Sequence, residues 1–433
     1  MRILEAIHDF LPDHRAGSEI YTYHLAKALA ARGHDVRVVF TEKRLDRPQF
    51  ALSTGVYDGL PFHEVVYNRH FDDIRDLYDD RRMDAAIGAV LDEVAPDVVH
   101  VQSLVYFGLG LIRQAVARRI PIVMTLHEYF LACPRGGLLL DPAGNLCDPI
   151  PFATCAQCLA PYPIQRQRYP DGADGADGAD PFASLGELRY FARAAQTRFF
   201  AMRDGVAAVK TFVAPSQFLA NQMIGLGLDA GRVVVSDYGF PPLSAPPRAP
   251  RGAGAPLRLG YLGTIADYKG VDVLIDAFQR LPRGSATLVV HGALDWFPDY
   301  VERLRAAIAP GADIELAGPL APGQAPRFLT GLDALVVPSI WFENSPLTIH
   351  EAFQCGVPVV TSDLGGMREL VASGGGLTFR RADPADLAAV LLRLVADPTV
   401  VDRLRATIPA VKSIATDAAD MERVLGRACG DGG

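Results

Sequence analysis

Apolar and polar positions along the chain fall into two alternating rhythms. Short, mostly apolar runs, the kind that fill a parallel sheet buried on both faces, are separated by longer stretches with apolar residues at helical spacing. In the first half the runs are Ile3–Ile7, Val36–Phe40, Val98–Val101 and Ile122–Leu126, then Phe212–Ala214 and Arg232–Val235. A helix over Ser18–Arg32 puts Tyr21, Leu25, Ala28 and Leu29 on one face and stops at Gly33. A second helix spans about 82–94, ahead of Pro96, and a third opens at Ser216. Beyond residue 256 the rhythm restarts with Arg258–Leu262, a helix from Val271, and strands Ala286–His291, Ile314–Ala317, Ala334–Val337 and Val357–Thr361. Repeated strand–helix alternation predicts parallel sheets with right-handed crossovers. The expected class is α/β, with two doubly wound, Rossmann-like domains facing a central cleft.

The break between the halves is GFPPLSAPPRAPRGAGAP, residues 239–256. Its prolines remove backbone donors and little in it can be buried, so it reads as a linker. The expected organisation is a first domain over 1–238 with a Cys-rich insertion at about 131–205, the linker, and a second domain over 257–410. A C-terminal helical segment, 411–433, is expected to pack back on the first domain.

At 433 residues the chain is long enough for two full cores, and 49% apolar and 21% charged content are ordinary for a globular protein. A net charge of −8 argues against general nucleic-acid binding. No run reaches membrane-span length and the N-terminus reads as a strand, so a cytoplasmic protein with reduced cysteines is expected.

The segment Pro338–Glu351, PSIWFENSPLTIHE, carries the most chemistry. It follows the apolar run Ala334–Val337, with Ser345 as a fitting N-cap and Pro346 as a fitting first helical residue. Amides at such a helix start attract anions, and Glu343 and Glu351 add two carboxylates able to accept from hydroxyls. Amides for phosphate beside carboxylates for sugar suit a nucleotide sugar; solvated helix-end carboxylates are the plain alternative. A glycosidase would need its carboxylates on opposite sides of the scissile bond, which one short segment does not offer. Lys269 follows a strand-end loop where its ammonium can meet a diphosphate, or it is a surface lysine. Gly17 precedes the first helix, where a missing Cβ lets the backbone approach a phosphate or simply permits a tight turn, and Ser18 can cap that helix. No Asp-x-Asp element accompanies a strand end, so no catalytic divalent metal is expected.

Cys133, Cys147, Cys155 and Cys158, spaced C-x13-C-x7-C-x2-C, suit a tetrahedral structural Zn²⁺. Iron–sulfur ligation lacks a recognisable spacing, free or disulfide-bonded thiols stand as the alternative, and Cys355 and Cys429 read as unpaired. The Asp-Gly-Ala repeat from Asp171 to Asp180 reads as a spacer. Between Glu187 and Lys210, arginines interleave with Tyr190, Phe191, Phe199 and Phe200. That stretch suits either peripheral contact with a membrane's inner face or a helix packed on the first domain with snorkelling arginines.

Several of these pieces together resemble the retaining glycosyltransferases of family 4, which have the GT-B fold, in a cysteine-containing variant. They are Gly263-Thr264 with Lys269-Gly270-Val271-Asp272, the Pro338–Glu351 segment, Gly356-Val357-Pro358-Val359-Val360 and Asp363–Glu369, with Gly17, His127 and Ala214-Pro215-Ser216 in the first half. The resemblance implies transfer of a sugar from a UDP, GDP or similar nucleotide-diphosphate donor to a hydroxyl of a carbohydrate or lipid-linked acceptor, as in polysaccharide biosynthesis. It implies that Glu351 binds the ribose, that Glu343 holds donor-sugar hydroxyls, and that amides around Asn344, Ser345, Pro346 and Leu347 assist. Gly17, Gly263 and Thr264 would face the donor, Lys269 its diphosphate, and His127 the transferred sugar. Relatives commonly carry an arginine directly after the glycine where this chain has Thr264, so one cationic contact is missing or comes from elsewhere. His100, at a similar strand end, reads equally well as structural. A nucleotide-sugar 2-epimerase of the same fold and a non-catalytic, zinc-clipped partner subunit are the rival readings.

Overall fold

The computed structural model describes residues 1–69, 71–159, 185–247, 252 and 254–430. The Asp171–Asp180 repeat and parts of the 131–205 and 239–256 stretches lie outside the described residues. The chain folds as two compact units, one of Met1–Gly239 with Ile414–Gly433 and a second of Phe240–Ser413.

In the first unit the strands are β1 (Arg2–His8), β2 (Asp35–Glu42), β3 (Leu52–Tyr57), β4 (Leu60–Val66), β5 (Val98–Val101), β6 (Ile122–Thr125), β7 (Thr211–Ala214) and β8 (Val233–Val235). Their order is β3-β4-β2-β1-β5-β6-β7-β8, parallel except for the β3–β4 hairpin. The chain reverses its direction of growth between β1 and β5, which makes the carboxyl ends of those strands the natural ligand position. The helix Ile414–Cys429 packs against β5, β6 and the helix Gly17–Ala31 of this unit. Its Asp417 is buried and accepts from the Tyr21 hydroxyl at 2.9 Å and from the Gly239 amide at 3.1 Å.

The second unit holds β9 (Leu257–Leu262), β10 (Ala286–His291), β11 (Ile314–Gly318), β12 (Ala334–Val337), β13 (Val359–Ser362) and β14 (Gly376–Phe379), all parallel, in the order β11-β10-β9-β12-β13-β14. Its switch point lies between β9 and β12. Side chains of β12 alternate between two cores: Ala334 and Val336 join Leu259, Leu274 and Phe278, while Leu335 and Val337 join Ile349, Phe353 and Met367. Each fully buried aliphatic or Phe side chain contributes about 1.5–3 kcal/mol, so the end of β12 is held from both faces. Phe240 is not loose spacer: its amide donates to Lys412 O at 2.9 Å and its ring stacks on His350 at 4.6 Å.

Two expected helix starts move. The helix predicted from Ser18 begins at Gly17, with Ala16 at the N-cap and the Ser18 hydroxyl turned to Glu19 Oε2 at 2.9 Å. The helix after β12 runs Leu347–Gln354 with Pro346 as N-cap, so Ser345 is not the cap and Pro346 is not the first helical residue. Ser345 Oγ instead pairs with His350 Nε2 at 2.8 Å, a bond that competes with capping for the hydroxyl.

Candidate functional site

The loops leaving β9 and β12 meet at the switch point of the second sheet. After β9, the Gly263 amide donates to His291 O at 3.1 Å and Thr264 O accepts from the Tyr261 hydroxyl at 2.5 Å. One short turn, Asp267–Lys269, then delivers Lys269. Gly270 follows with φ +68, where a Cβ would lie 2.2 Å from Pro338 O, so the two loops touch through backbone. Lys269 Nζ reaches Glu343 Oε1 at 2.6 Å. The same oxygen accepts from Ser339 Oγ at 2.8 Å and Trp341 Nε1 at 2.9 Å. The ammonium also lies 5.1 Å from the centre of the Trp341 ring. A cation and two neutral donors thus offset the cost of burying the Glu343 carboxylate.

A third loop fixes the geometry from behind. The Gly366 amide donates to Glu343 O at 3.0 Å, and a Cβ at Gly366 would fall 1.6 Å from Asn344 O. Gly366→Ala must push the Glu343–Asn344 backbone away. It is expected to cost roughly 2–3 kcal/mol, read as a Tm lower by roughly 4–12 °C in thermal unfolding; an unchanged Tm would contradict the packing.

Glu351 lies on the helix Leu347–Gln354, half-buried, and no hydrogen bond or ion pair engages its carboxylate among the described residues. Burial pushes its carboxyl up to about 7. A desolvated carboxylate without a partner costs stability and suits a ligand's donors. Asn344 and Ser345 are buried in the loop before this helix, while Pro346 and Leu347 are half-buried at its start.

In the first unit the expected residues do not form one contact set. Gly17 is the first residue of its helix. His127 follows β6 with both ring nitrogens engaged: Nε2 with Gln102 Oε1 at 2.7 Å and Nδ1 with the Tyr238 hydroxyl at 2.6 Å. An amide oxygen only accepts, so Nε2 carries the proton and Nδ1 accepts from Tyr238. Gln102 Nε2 passes on to Glu5 Oε2 at 2.7 Å, and Glu5 meets His100 Nδ1, whose other nitrogen meets Thr125 Oγ1 at 2.8 Å. Burial first, then the neighbouring His100 and His8, hold the His127 imidazole down to about 3, so it is neutral. His127 therefore belongs to a buried polar chain; a hydrogen bond to the transferred sugar would require breaking one of its two bonds. His100 is fully buried with both ring nitrogens engaged. Sequence reasoning missed Gln102 and Tyr238, which only folding brings to His127. It also missed Glu128, next to His127, whose carboxyl burial pushes up to about 8. Ser339 and Trp341 lie in the Pro338–Glu351 segment, four and two residues before Glu343, and that spacing is the signal the sequence offers.

The four cysteines Cys133, Cys147, Cys155 and Cys158 are unbridged and line one small pocket. In the helix Leu185–Gly205, Arg198 turns inward onto Phe130, with its guanidinium carbon 4.5 Å from the ring centre, while Tyr190 and Phe200 stay exposed. Among the described residues no helix is long and apolar enough to cross a membrane.

Two doubly wound sheets, one with charged and aromatic side chains at its switch point, define a GT-B-type α/β protein. Residues 16–239 match the glycosyl transferase 4-like domain and residues 256–397 match glycosyl transferases group 1. The chain belongs to this glycosyltransferase family. It is 30% identical to alpha-maltose-1-phosphate synthase of Mycobacterium tuberculosis over 46% of this chain and 58% of that protein. It is 28% identical to the amylovoran biosynthesis glycosyltransferase AmsK of Erwinia amylovora over 41% of this chain and 46% of that one. The chain thus spans about half the length of these curated relatives. Anabaena HepE in complex with UDP-glucose shares the fold at TM-score 0.66 and 16% identity, covering 98% of this chain and 99% of that one.

Proposed function

We propose that the protein is a retaining glycosyltransferase that moves a sugar from a nucleotide-diphosphate sugar to a hydroxyl acceptor. The observation that carries this reading is the Lys269–Glu343 pair at the switch point of the second sheet, with Glu351, whose carboxylate has no partner among the described residues, on the helix that follows.

In this reading Glu351 accepts from the ribose hydroxyls. Glu343 keeps its second carboxylate oxygen for hydroxyls of the donor sugar, since Lys269, Ser339 and Trp341 all converge on Oε1. Lys269 offers its charge to the diphosphate, together with the first free amides of the helix at Leu347 and Thr348. The bond from the anomeric carbon to the phosphate oxygen breaks, and the acceptor oxygen bonds that carbon on the same face. The acceptor's proton passes to the departing phosphate, and the nucleotide diphosphate leaves. The negative charge growing on that phosphate is stabilised by fixed donors, so position and electrostatics supply the rate. The buried chain Tyr238–His127–Gln102–Glu5 orients the first domain's strand ends, where the acceptor is read. A uridine donor is the first to try, because a protein of the same fold is crystallised with UDP-glucose.

Incubating the protein with radiolabelled nucleotide sugars, with and without hydroxyl acceptors, tests the proposal. Label appearing in acceptor, with the anomeric configuration of the donor kept, is expected. Interconversion of free nucleotide sugars, or no nucleotide binding at all, would defeat it.

A further inference from the structure

We propose that Cys133, Cys147, Cys155 and Cys158 bind one structural zinc ion as a tetrathiolate, and that this ion clamps the segment following β6. The sulfurs come from three separate pieces of backbone that the fold brings to one pocket. Cys133 closes a turn in which its amide donates to Tyr129 O at 2.7 Å. Cys147 leaves a small loop closed by the Leu140–Leu146 bridge and by Asn145 donating to Asp141 Oδ1 at 2.7 Å. Cys155 and Cys158 lie three apart on the helix Phe152–Leu159, hence on one face.

Much of the remaining lining, Ala132, Leu139, Leu140 and Ile150, is apolar. Four thiols gathered in such a wall form the all-sulfur donor set that selects a soft tetrahedral ion. Binding would release the thiol protons and leave a net negative cluster. Arg135, held to Leu140 O at 3.0 Å beside the pocket, supplies a positive neighbour. Among the described residues the set whose ligand atoms already lie within 4.8 Å of one another is Asp9, His14 and Glu42. That set is internally matched: His14 Nε2 meets Glu42 at 3.0 Å, and Arg69 lies 3.7 Å from Asp9. The four cysteine sulfurs are not drawn together to that degree, but they line one pocket, and it is their all-thiolate chemistry that singles them out.

The stretch from Leu131 to Leu159 has one helix of eight residues and one isolated bridge, too little regular structure to hold itself. Metal binding there is folding free energy. The clamp reaches the segment after His127 through backbone. The Tyr129 amide donates to Gly137 O at 3.3 Å, and a Cβ on Gly137 would lie 2.8 Å from the Tyr129 and Phe130 nitrogens. The cysteine loop is therefore folded directly onto the residues after His127.

The test is elemental analysis of full-length protein purified without immobilised metal, beside the Cys155→Ser/Cys158→Ser variant and the control Cys355→Ser/Cys429→Ser. About one zinc per chain is expected in wild type and control, and less than about a tenth of that in the first variant. Should that variant fail to fold, wild-type protein is treated with an organomercurial and zinc release is followed with a metallochromic dye. Cobalt exchanged into wild type should give the ligand-field spectrum of a tetrahedral thiolate site. Zinc retained by the Cys155/Cys158 variant, no bound metal in wild type, or iron with labile sulfide would each overturn the proposal. None of these readouts depends on transferase activity.

Discussion

Lys269→Ala is expected to lower turnover by about 10²- to 10³-fold while changing donor affinity by less than about tenfold. The asymmetry follows from what the ammonium does at each stage. In the free protein it pairs with Glu343 Oε1 at 2.6 Å. Its exchange of that carboxylate for a ground-state diphosphate gains little. As the glycosidic bond breaks, charge builds on the departing phosphate, and a fixed cation then contributes about 3–4 kcal/mol. The variant should fold, because Ser339 and Trp341 still donate to Glu343. Steady-state kinetics with separate kcat and KM check this; wild-type kcat would remove Lys269 from the reaction.

Glu351→Ala should do the opposite, weakening nucleotide binding by about 10- to 100-fold, the loss of hydrogen bonds to a charged acceptor. The wild type carries a pH signature that follows from the same residue. Burial holds its carboxyl up to about 7, above the ordinary carboxylate range, so it is neutral below that pH and charged above it. Ribose hydroxyls donate best to the charged form. Affinity should therefore be full above pH about 8 and fall as pH drops through 7, approaching tenfold per unit in the limit. Glu351→Gln keeps the shape but does not titrate, and its affinity should be flat from pH 6 to 8. Calorimetry with a nucleotide diphosphate measures both; a titrating Glu351→Gln variant would place the pH dependence elsewhere.

Much of the scaffold was legible because central parallel strands, covered on both faces, leave mostly apolar runs. The runs Val98–Val101, Ala286–His291 and Ala334–Val337 coincide with β5, β10 and β12. What escaped was edge structure. The β3–β4 hairpin alternates exposed and half-buried positions along Leu52–Tyr57 and carries Pro61, so it leaves no apolar block. Gly376–Phe379 is short and follows two glycines. Helix starts were misplaced where a capping residue had a competing partner, as Ser345 does in His350.

The candidate site was legible only in part, for a related reason. Glu343, Lys269 and Glu351 stand out because ionisable residues at strand ends are costly unless used. That Lys269 would pair with Glu343 across 74 positions is set by the β9–β12 adjacency, which no local pattern encodes. The buried chain through Glu5, His100, Gln102, His127 and Tyr238 is likewise assembled from separate strand ends, and only its histidines were visible as candidates.

The most direct measurement is a crystal structure of the protein with a bound nucleotide diphosphate. Ribose hydroxyls are expected within hydrogen-bonding distance of the Glu351 carboxylate, and the terminal phosphate beside Lys269 at the ends of β9 and β12. A nucleotide seated away from those strand ends, with Glu351 still unpartnered, would contradict that placement.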